Sequence, residues 1–365
     1  MTAPHLLPPP GRIRLAPLRT GGRVPGVVLC LAAAAASAGI TRVAPGVSPM
    51  IIAILLGVLV ANTVGVPVAA EDGVAFSAKS LLRAGIVFLG LQVVLTDIAD
   101  LGLPMLAVIV CIVGGGILTT VLMGRALGMS PDLALLIGCG FSICGAAAVA
   151  GAAGVVDADD RAEADTVTAV ALVVIFGTLM IPFVPLMAHV LGLAPRTAGM
   201  WAGGSIHEIA QVVAAGGVIG GGALTVAVVV KLARVVLLAP VAAILSIRQR
   251  RLSRATREVE GAASSEDGEG ALTAARLPPL IPAFVVGFLG MVLLRTFAAV
   301  PTPLLGIGKD LQTGLLAAAM FALGCGVTVR GLRRVGIRPF VLATLSTVIV
   351  TSIALAGVML TNSVA

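Results

Sequence analysis

Charged and aromatic residues are scarce in this chain of 365 residues. Asp, Glu, Lys and Arg together account for 11% of it and aromatic residues for 3%, with no Tyr and a single Trp, Trp201. So few polar side chains cannot cover the surface of a soluble globule, which excludes that class of protein. The lack of Tyr and Trp also removes the aromatic belts that usually mark membrane interfaces, so helix ends must be placed from charged residues.

The cysteines and the basic residues exclude two further classes of protein. The five cysteines are an odd number and all lie in apolar runs, where they are typical of small hydrophobic side chains, so we expect no disulfide framework. The net charge of +7 comes from short basic clusters between apolar runs, without interleaved aromatic residues. Such clusters indicate membrane topology and not nucleic-acid binding.

Apolar residues dominate instead: 58% of the chain is hydrophobic and its mean hydropathy is +1.12. Runs of about 20 apolar residues, the length of a membrane-spanning helix, recur along the chain. Glycine-rich breaks in the fifth and seventh runs predict two discontinuous helices. We predict an all-α polytopic membrane protein with about eleven transmembrane helices, near residues 24–40, 48–66, 80–96, 104–124, 133–156, 166–191, 199–219, 222–247, 278–298, 311–329 and 339–361.

The charges between the runs predict the organisation and orientation of the chain. We predict a cytoplasmic N-terminal tail, residues 1–23, and a C-terminus on the opposite side of the membrane. A single transmembrane transporter domain covers residues 24–365. The acidic loop 157–165 then faces out. The segment 248–277, basic and then acidic and rich in Ser and Gly, is typical of a disordered cytoplasmic linker. Residues 1–38 also resemble a secretory signal, whose cleavage would leave ten helices.

Two short internal matches suggest inverted repeats. The first pairs Ser142-Ile143 with Ser205-Ile206, each followed at equal spacing by Ala and Val. The second pairs Leu89-Gly90 and Gly102 with Leu323-Gly324 and Gly336. The two matches imply incompatible repeat orders, so we expect at least one of them to be chance.

His207 and Glu208 stand side by side in a stretch apolar enough to lie within a bilayer. An ionisable side chain at that depth costs a few kcal/mol or more, so it usually faces a partner, a cavity or a transported ion. The preceding Gly203-Gly204 break, and Ser205 three residues before Glu208, match the capping box of a helix start. Ser142 is predicted to cap a second such start. The N–H groups of each half-helix would then form an anion site.

Lys231 and Arg234 lie three residues apart in the next apolar run, so both project from one face of a helix. One interpretation is a structural ion pair between Glu208 and Lys231 that holds neighbouring helices together. The functional hypothesis has both cations and both half-helix starts converge on an oxyanion, while Glu208 or His207 carries a coupling proton. An anion bound beside Glu208 would favour proton uptake by its carboxylate.

These arguments give three sets of candidate residues. The substrate-binding residues are Ser142, Ile143, Cys144, Gly145, Ser205, Ile206, Lys231 and Arg234. His207 and Glu208 are the proton-coupling residues, supported by Gln211, Gly140, Gly203 and Gly204. Gln211 stands where a zincin would have its second His, so we predict no enzyme, no metal site and no cofactor.

Three stretches resemble the signatures of the YeiH-type sulfate exporter family of bacterial inner-membrane proteins. They begin Ser142-Ile-Cys-Gly-Ala-Ala-Ala, Ser205-Ile-His-Glu-Ile-Ala-Gln and Lys231-Leu-Ala-Arg-Val-Val, and residues 81–90 fit the same family. The resemblance implies a multi-pass inner-membrane protein. It also implies kinship with cation/proton antiporters and bile-acid symporters, which have inverted repeats and broken helices.

We therefore expect a secondary transporter of a small inorganic or sulfur-containing anion, with the lipid bilayer as its surroundings and a proton or sodium as coupling ion. Sulfate itself is implied only by the family's label. Two alternatives stay open. One is a cation/proton or sodium-coupled exchanger that uses Glu208, and the other is a membrane interaction or sensory subunit that transports nothing. The sequence also leaves open a homodimer, the direction of transport and the coupling stoichiometry.

Overall fold

The computed structural model describes residues 22–43, 48–156, 163–263, 283–328 and 336–364, and this part of the chain is helical and contains no strand. The tail 1–21 and the second half of the predicted linker lie outside the described residues. The helices are α1 Val24–Val43, α2 Pro49–Thr63, α3 Val68–Phe76, α4 Leu82–Leu89, α5 Leu95–Ala99, α6 Gly102–Ala126, α7 Pro131–Ser142, α8 Ala146–Val156, α9 Glu163–Val190, α10 Pro195–Ser205, α11 Ile209–Ile219, α12 Ala223–Val236, α13 Leu238–Ala263, α14 Ala283–Phe297, α15 Thr302–Gly326 and α16 Arg338–Val364.

The helices agree with the predicted polytopic membrane fold. By length and composition, six of the described helical stretches are apolar enough to cross a membrane, namely Val24–Val43, Val68–Gln92, Gly102–Ala126, Ala164–Val190, Ala223–Leu252 and Arg338–Thr361. Each of the eleven predicted segments coincides with helix in the structure. Several starts have a clear local cause: Ser48 and Ser130 accept hydrogen bonds from the backbone of the following turn, and Pro occupies the first helical position.

Three predicted boundaries are corrected. The tenth segment begins at Thr302 and not near residue 311. The third segment begins at Val68, since a π-helical turn, Ser77–Leu81, joins α3 to α4 without a break. The segment predicted as a linker from residue 248 begins as helix, because α13 continues to Ala263. Its Arg, Gln, Leu, Glu and Ala residues have high helix propensity, which the charge pattern alone concealed.

The fifth segment forms a helical hairpin of α7 and α8, called here the first hairpin, with its tip at residues 143–145. Beyond the tip the chain reverses, and Val149 in α8 lies against Gly140 in α7. At the open end, the Ser130 hydroxyl donates to the Asp165 carboxylate at 2.9 Å. The start of α7 and the start of α9 therefore lie on the same side of the molecule, and α8 returns to that side.

The seventh segment forms a matching second hairpin of α10 and α11, with its tip at residues 206–208. Gly221, just after α11, lies against Pro195, the first residue of α10. The next helix, α12, runs beside α10 in the same direction, since Gly199 and Gly203 contact Ala223 and Ala227 in turn. Because the 28-residue helix α9 separates the two hairpins, they enter from opposite sides.

The two discontinuous helices are confirmed, but their path differs from the predicted crossings. Each turns back at its break, because the glycine-rich sequence permits either a kink or a reversal and tertiary contacts decide between them. With two hairpins in place of two crossings, the start of α9 and Arg196 exchange sides relative to the predicted scheme. The sides of the other connections that the structure describes are unchanged.

The contacts reveal inverted repeats. Helices α6 and α16 pack antiparallel, with Gly124 near Leu342 and Gly357 near Val108. The helical stretches Val68–Gln92 and α15 have 25 residues each. The φ angle is +78° at both Gly102, the first residue of α6, and Gly336, two residues before α16. Helices α2 to α6 thus correspond to α14 to α16. The first hairpin with α9 corresponds to the second hairpin with α12.

Both internal sequence matches fall on these equivalent positions, so the expectation that one of them is chance is wrong. The stretches that begin at Ser142 and Ser205 form the two hairpin tips. The three-helix unit precedes the hairpin in the first half of the chain and follows it in the second. That difference in order explains why the two matches looked incompatible.

The helices form two groups, and the hairpins belong to one of them. The outer group consists of α1 to α4, α14 and α15, and the hairpin group of α6, α7, α9 to α12 and α16. Within the outer group, Gly57 and Gly324 let α2 and α15 approach so closely that an added Cβ would meet the backbone of the other helix. Helix α8 lies at the boundary, against both α13 and α4.

Candidate functional site

The tips of the two hairpins meet in the interior of the molecule. The Phe141 ring, at the end of α7, lies 6.0 Å from that of Phe176, near the middle of α9. Gln211, in the first turn of α11, packs against Gly177, which is also in α9. A Cβ at position 177 would collide with the Gln211 side chain. The reversals at 143–145 and 206–208 thus lie at about the mid-depth of a helix that is long enough to span the membrane.

Glu208 lies between the N-terminal ends of the two returning helices. The Ala146 N–H, the first of α8, donates to Glu208 Oε1 at 3.2 Å. Glu208 is also the N-cap residue of α11, where it forms a capping box with Gln211, whose Oε1 accepts from the Glu208 N–H at 3.1 Å. The Glu208 carboxylate therefore caps α8 by a hydrogen bond and stands at the N-cap position of α11, and these two half-helices come from opposite sides of the molecule.

Gly145 makes this arrangement possible for two reasons. Its φ of +82° lies in the left-handed region, which glycine adopts without strain. In addition, a Cβ at this position would collide with Cγ of Glu208. The absence of a side chain therefore allows both the reversal of the first hairpin and the approach of the carboxylate.

Lys231 binds backbone carbonyl groups at both hairpin tips. Its Nζ donates to the carbonyl oxygens of Ile143 at 2.7 Å and Ile206 at 2.9 Å, one from each tip. The ammonium is fully buried. These bonds replace the Glu208–Lys231 ion pair that we considered as a structural alternative, since the ammonium contacts carbonyls and not the carboxylate.

Arg234 gathers the C-terminal carbonyls of α7 and α10. Its guanidinium donates five hydrogen bonds, of 2.7 to 3.2 Å, to the carbonyls of Phe141, Ser142, Gly203, Gly204 and Ile206. This side chain is also fully buried. A planar group with five donors suits such a cluster of acceptors, and it holds the two entering helices together.

Opposite charges therefore lie at opposite helix ends. The C-termini of α7 and α10 carry partial negative charge and face Lys231 and Arg234, whereas the N-termini of α8 and α11 carry partial positive charge and face Glu208. Each dipole end is thus compensated by an ionisable side chain. With two cations and one carboxylate, the centre has one positive charge in excess when all three are ionised.

The predicted capping role of Ser142 and Ser205 is wrong. Both are the last residues of the helices that enter the break, α7 and α10. The Ser205 hydroxyl donates back to the Trp201 carbonyl at 2.7 Å, a bond that competes with capping. The Ser142 hydroxyl is buried and has no hydrogen-bond partner among the described residues. Whether either hydroxyl binds an anion stays a prediction.

His207 ties the second tip to its neighbours. Its Nδ1 lies 3.2 Å from the Phe141 carbonyl and its Nε2 lies 3.3 Å from the Thr347 hydroxyl of α16. The ring is fully buried and packs on Phe141 with a centroid distance of 4.4 Å. Sequence reasoning missed Phe141 and Thr347, since an apolar ring and a mid-helix Thr give no local signal of such contacts.

The other supporting residues also line the break, and their exposure differs. Gly203 and Gly204 supply carbonyls to Arg234, Gly140 makes room for α8, and Cys144 lies in the first tip. Most of the centre is buried, but Glu208 and the neighbouring Ile209 and Ala210 are partly exposed. Among the ionisable groups of the centre, Glu208 is therefore the one that its neighbours do not fully enclose.

Comparison with known proteins assigns the chain to a protein family. The model of a family described as conserved hypothetical protein 698 matches residues 25–343. The chain belongs to this family. A UPF0324 membrane protein of Corynebacterium glutamicum is 58% identical to it, over 94% of this chain and 95% of the relative.

More distant relatives extend across bacteria. A UPF0324 membrane protein of Pseudomonas aeruginosa is 37% identical over 90% of this chain and 94% of its own. The inner membrane protein YeiH of Salmonella typhi is 37% identical over 82% of this chain and 81% of its own, so the predicted resemblance to YeiH is confirmed. No solved structure matches the chain.

Proposed function

We propose that this protein is a proton-coupled secondary transporter of a small anion in the bacterial inner membrane. The observation that carries this proposal is the Glu208 carboxylate between the N-termini of α8 and α11. Helix N-termini attract anions through their free N–H groups and their partial positive charge. In this position Glu208 is an internal anion, bound where a substrate anion would bind.

Protonation of Glu208 is then the coupling step. The ionised carboxylate competes with the substrate for the amides, whereas the neutral carboxyl is a weak competitor and releases them. Proton binding and anion binding therefore favour each other. The partial exposure of Glu208 supports this role, while the two contacts that His207 makes in a fully buried position favour a structural role for the imidazole.

Further groups at the centre support an anion as substrate. The Gln211 Nε2 donor is buried in the first turn of α11 and has no partner among the described residues. Lys231 and Arg234 add fixed positive charge. The ligands of such a site would be mainly backbone N–H groups and Gln211, and the neighbouring cations would offset the substrate charge.

The same geometry argues against the sodium-coupled alternative. A sodium site in a broken helix would use the carbonyl oxygens of the unwound segment. Here Lys231 and Arg234 donate to the carbonyls of Ile143 and Ile206 at the two tips. Two fixed cations thus occupy the positions that a sodium ion would need, and a proton is the better candidate for the coupling ion.

The architecture suggests how access would alternate. The centre belongs to the hairpin group, whereas the outer group packs against it as a separate set of helices. Movement of one group against the other would expose the tips to one side and then to the other. By the positive-inside rule, the N-terminus and the loop 157–165 lie in the cytoplasm and the C-terminus lies outside.

The test is flux into proteoliposomes with an imposed pH gradient, using labelled sulfate, sulfite and thiosulfate, which the resemblance to sulfate exporters suggests. We expect the wild type to accumulate at least one of them in response to the gradient. Glu208→Gln, purified as a monodisperse protein, should exchange the anion but no longer respond to the gradient. Equal responses in the two proteins would contradict the coupling role.

The same experiment separates a transporter from an interaction or sensory subunit. A subunit that moves nothing predicts no flux of any anion in the wild type, and it predicts that Glu208→Ala only lowers thermal stability. A transporter predicts flux in the wild type that Glu208→Ala impairs beyond any loss of folded protein.

A further inference from the structure

A cavity of about 610 Å³ lies away from the centre, between the outer group and the first hairpin. Its walls come from α3, α4, α8, the start of α9 and the end of α15. Most of the lining is apolar or small. Among the residues that the structure describes, the charged ones that face it are Glu71, Lys79 and Arg83, two cations and one anion.

The exposed side chain of Arg83 passes close to the backbone of Gly154 in α8. Its Nη2 lies 2.6 Å from the position that a Cβ on Gly154 would occupy. Any larger residue at 154 would therefore displace the guanidinium. Gly151, one turn earlier in α8, has only ordinary contacts at 3.5 Å or more, so close approach is particular to position 154.

One face of α8 connects the cavity to the centre. Ala150, Ala153 and Gly154 line the cavity and are partly exposed. Ala147, one turn earlier on the same face, is also partly exposed, and it follows Ala146, whose N–H donates to Glu208. Small side chains thus lead from Arg83 to the partly exposed carboxylate of Glu208.

We propose that this cavity is the vestibule of the anion site and that Arg83 is its first contact for a small anion. The inference rests on the proposed function, and it adds a second binding position and a direction of approach. The vestibule lies toward the face of the molecule where α9 begins, because its lining includes Thr166 and Val167. An anion would pass from Arg83 along α8 to the amides that Glu208 caps.

The test measures how reagent charge affects the labelling of a cysteine in the cavity, and it requires no transport. Ala153→Cys is introduced into a protein in which Cys111, which is exposed, and Cys325, which lines the cavity, are replaced by Ala. Its reaction rate is compared for a methanethiosulfonate that carries a sulfonate and one that carries a trimethylammonium group. Each rate is divided by the rate with a free thiol, and the protein without Ala153→Cys gives the background.

We expect the sulfonate reagent to be preferred, and Arg83→Ala to lower the ratio of the two rates by at least about fivefold, as expected for a unit charge at this range. Arg83→Lys should largely restore the preference. Gly154→Ala should lower the ratio in the same direction, whereas Gly151→Ala and Arg125→Ala, which removes an exposed charge at the end of α6, should leave it unchanged.

The proposal is overturned if the cysteine does not react above background, or if Arg83→Ala leaves the ratio unchanged. Those results would refute the role of the cavity as a vestibule. They would not affect the proposal for the Glu208 centre, which is tested by flux. Conversely, a normal labelling pattern together with no anion flux in the wild type would remove the proposed function and leave a cavity that attracts anions.

Discussion

At the scale of single residues, the proposed coupling of proton and anion depends on the side chain of Glu208. Its position in apolar sequence marked it as a candidate, and the structure places it between two helix N-termini. The sequence also suggested a capping box, but with Ser205 as the cap. The pattern of Ser three residues before Glu does not distinguish a cap from a helix-ending Ser that bonds back to the preceding turn. The correct cap is Glu208 itself, with Gln211 as its partner.

The residue that allows Glu208 to approach should tolerate no side chain. Gly145→Ala would strain a backbone at φ +82° and push its Cβ into Glu208. We expect the variant to lose anion binding and to unfold at a lower temperature than the wild type. The backbone strain alone should lower its free energy of unfolding by about 1 kcal/mol or more. Thermal unfolding and anion binding of the purified protein would check this. The control is Gly114→Ala in α6, where an added Cβ meets nothing within 4 Å.

At the scale of helices and hairpins, the buried cations determine how the broken helices run. Helix positions could be predicted from apolar runs, and the two breaks from glycine. The reversal at each break could not be predicted, since it depends on Lys231 and Arg234 drawing carbonyls of both tips together from a helix remote in sequence. Local sequence specifies that the helix stops, and the tertiary contacts specify where the chain goes next.

The guanidinium geometry at this junction should be essential. Arg234→Lys keeps the charge but offers at most three donors for the five carbonyls that Arg234 binds. Because unsatisfied buried carbonyls cost about 1–3 kcal/mol each, we expect a clear fall in the midpoint of thermal unfolding. The matched substitution Arg125→Lys, at an exposed position, should have almost no effect. Equal midpoints for the two variants would refute the role of Arg234 as the clamp of the hairpins.

At the scale of the whole molecule, the inverted repeats arrange two hairpins around one centre. Short matches in sequence were enough to suggest the repeats, but their order was misleading because the three-helix unit precedes the hairpin in one half and follows it in the other. Reordered units of this kind leave only isolated similarities, such as Gly102 and Gly336 at the starts of equivalent helices. The residues that meet at the centre come from four separate segments, which no local pattern relates.

The hairpins give a topology that differs from eleven crossings at two places. Single cysteines at Arg125, Ala164 and Arg196, all exposed, should be labelled from one face at the first two positions and from the opposite face at the third. Eleven crossings would instead place positions 125 and 196 on the same face. Labelling of intact cells and of inverted vesicles with a membrane-impermeant maleimide, in a protein that lacks the exposed Cys111, distinguishes the two.

The most direct measurement of the central claim is the pH dependence of anion binding to purified wild type and Glu208→Gln. If the carboxylate and the substrate compete for the same amides, wild-type affinity for the transported anion should fall as pH rises, by up to about tenfold per pH unit where one proton accompanies binding. Glu208→Gln cannot ionise, so its affinity should be independent of pH and should exceed that of the wild type at high pH. A variant that binds the anion more weakly than the wild type at every pH, with the same pH dependence, would contradict the account.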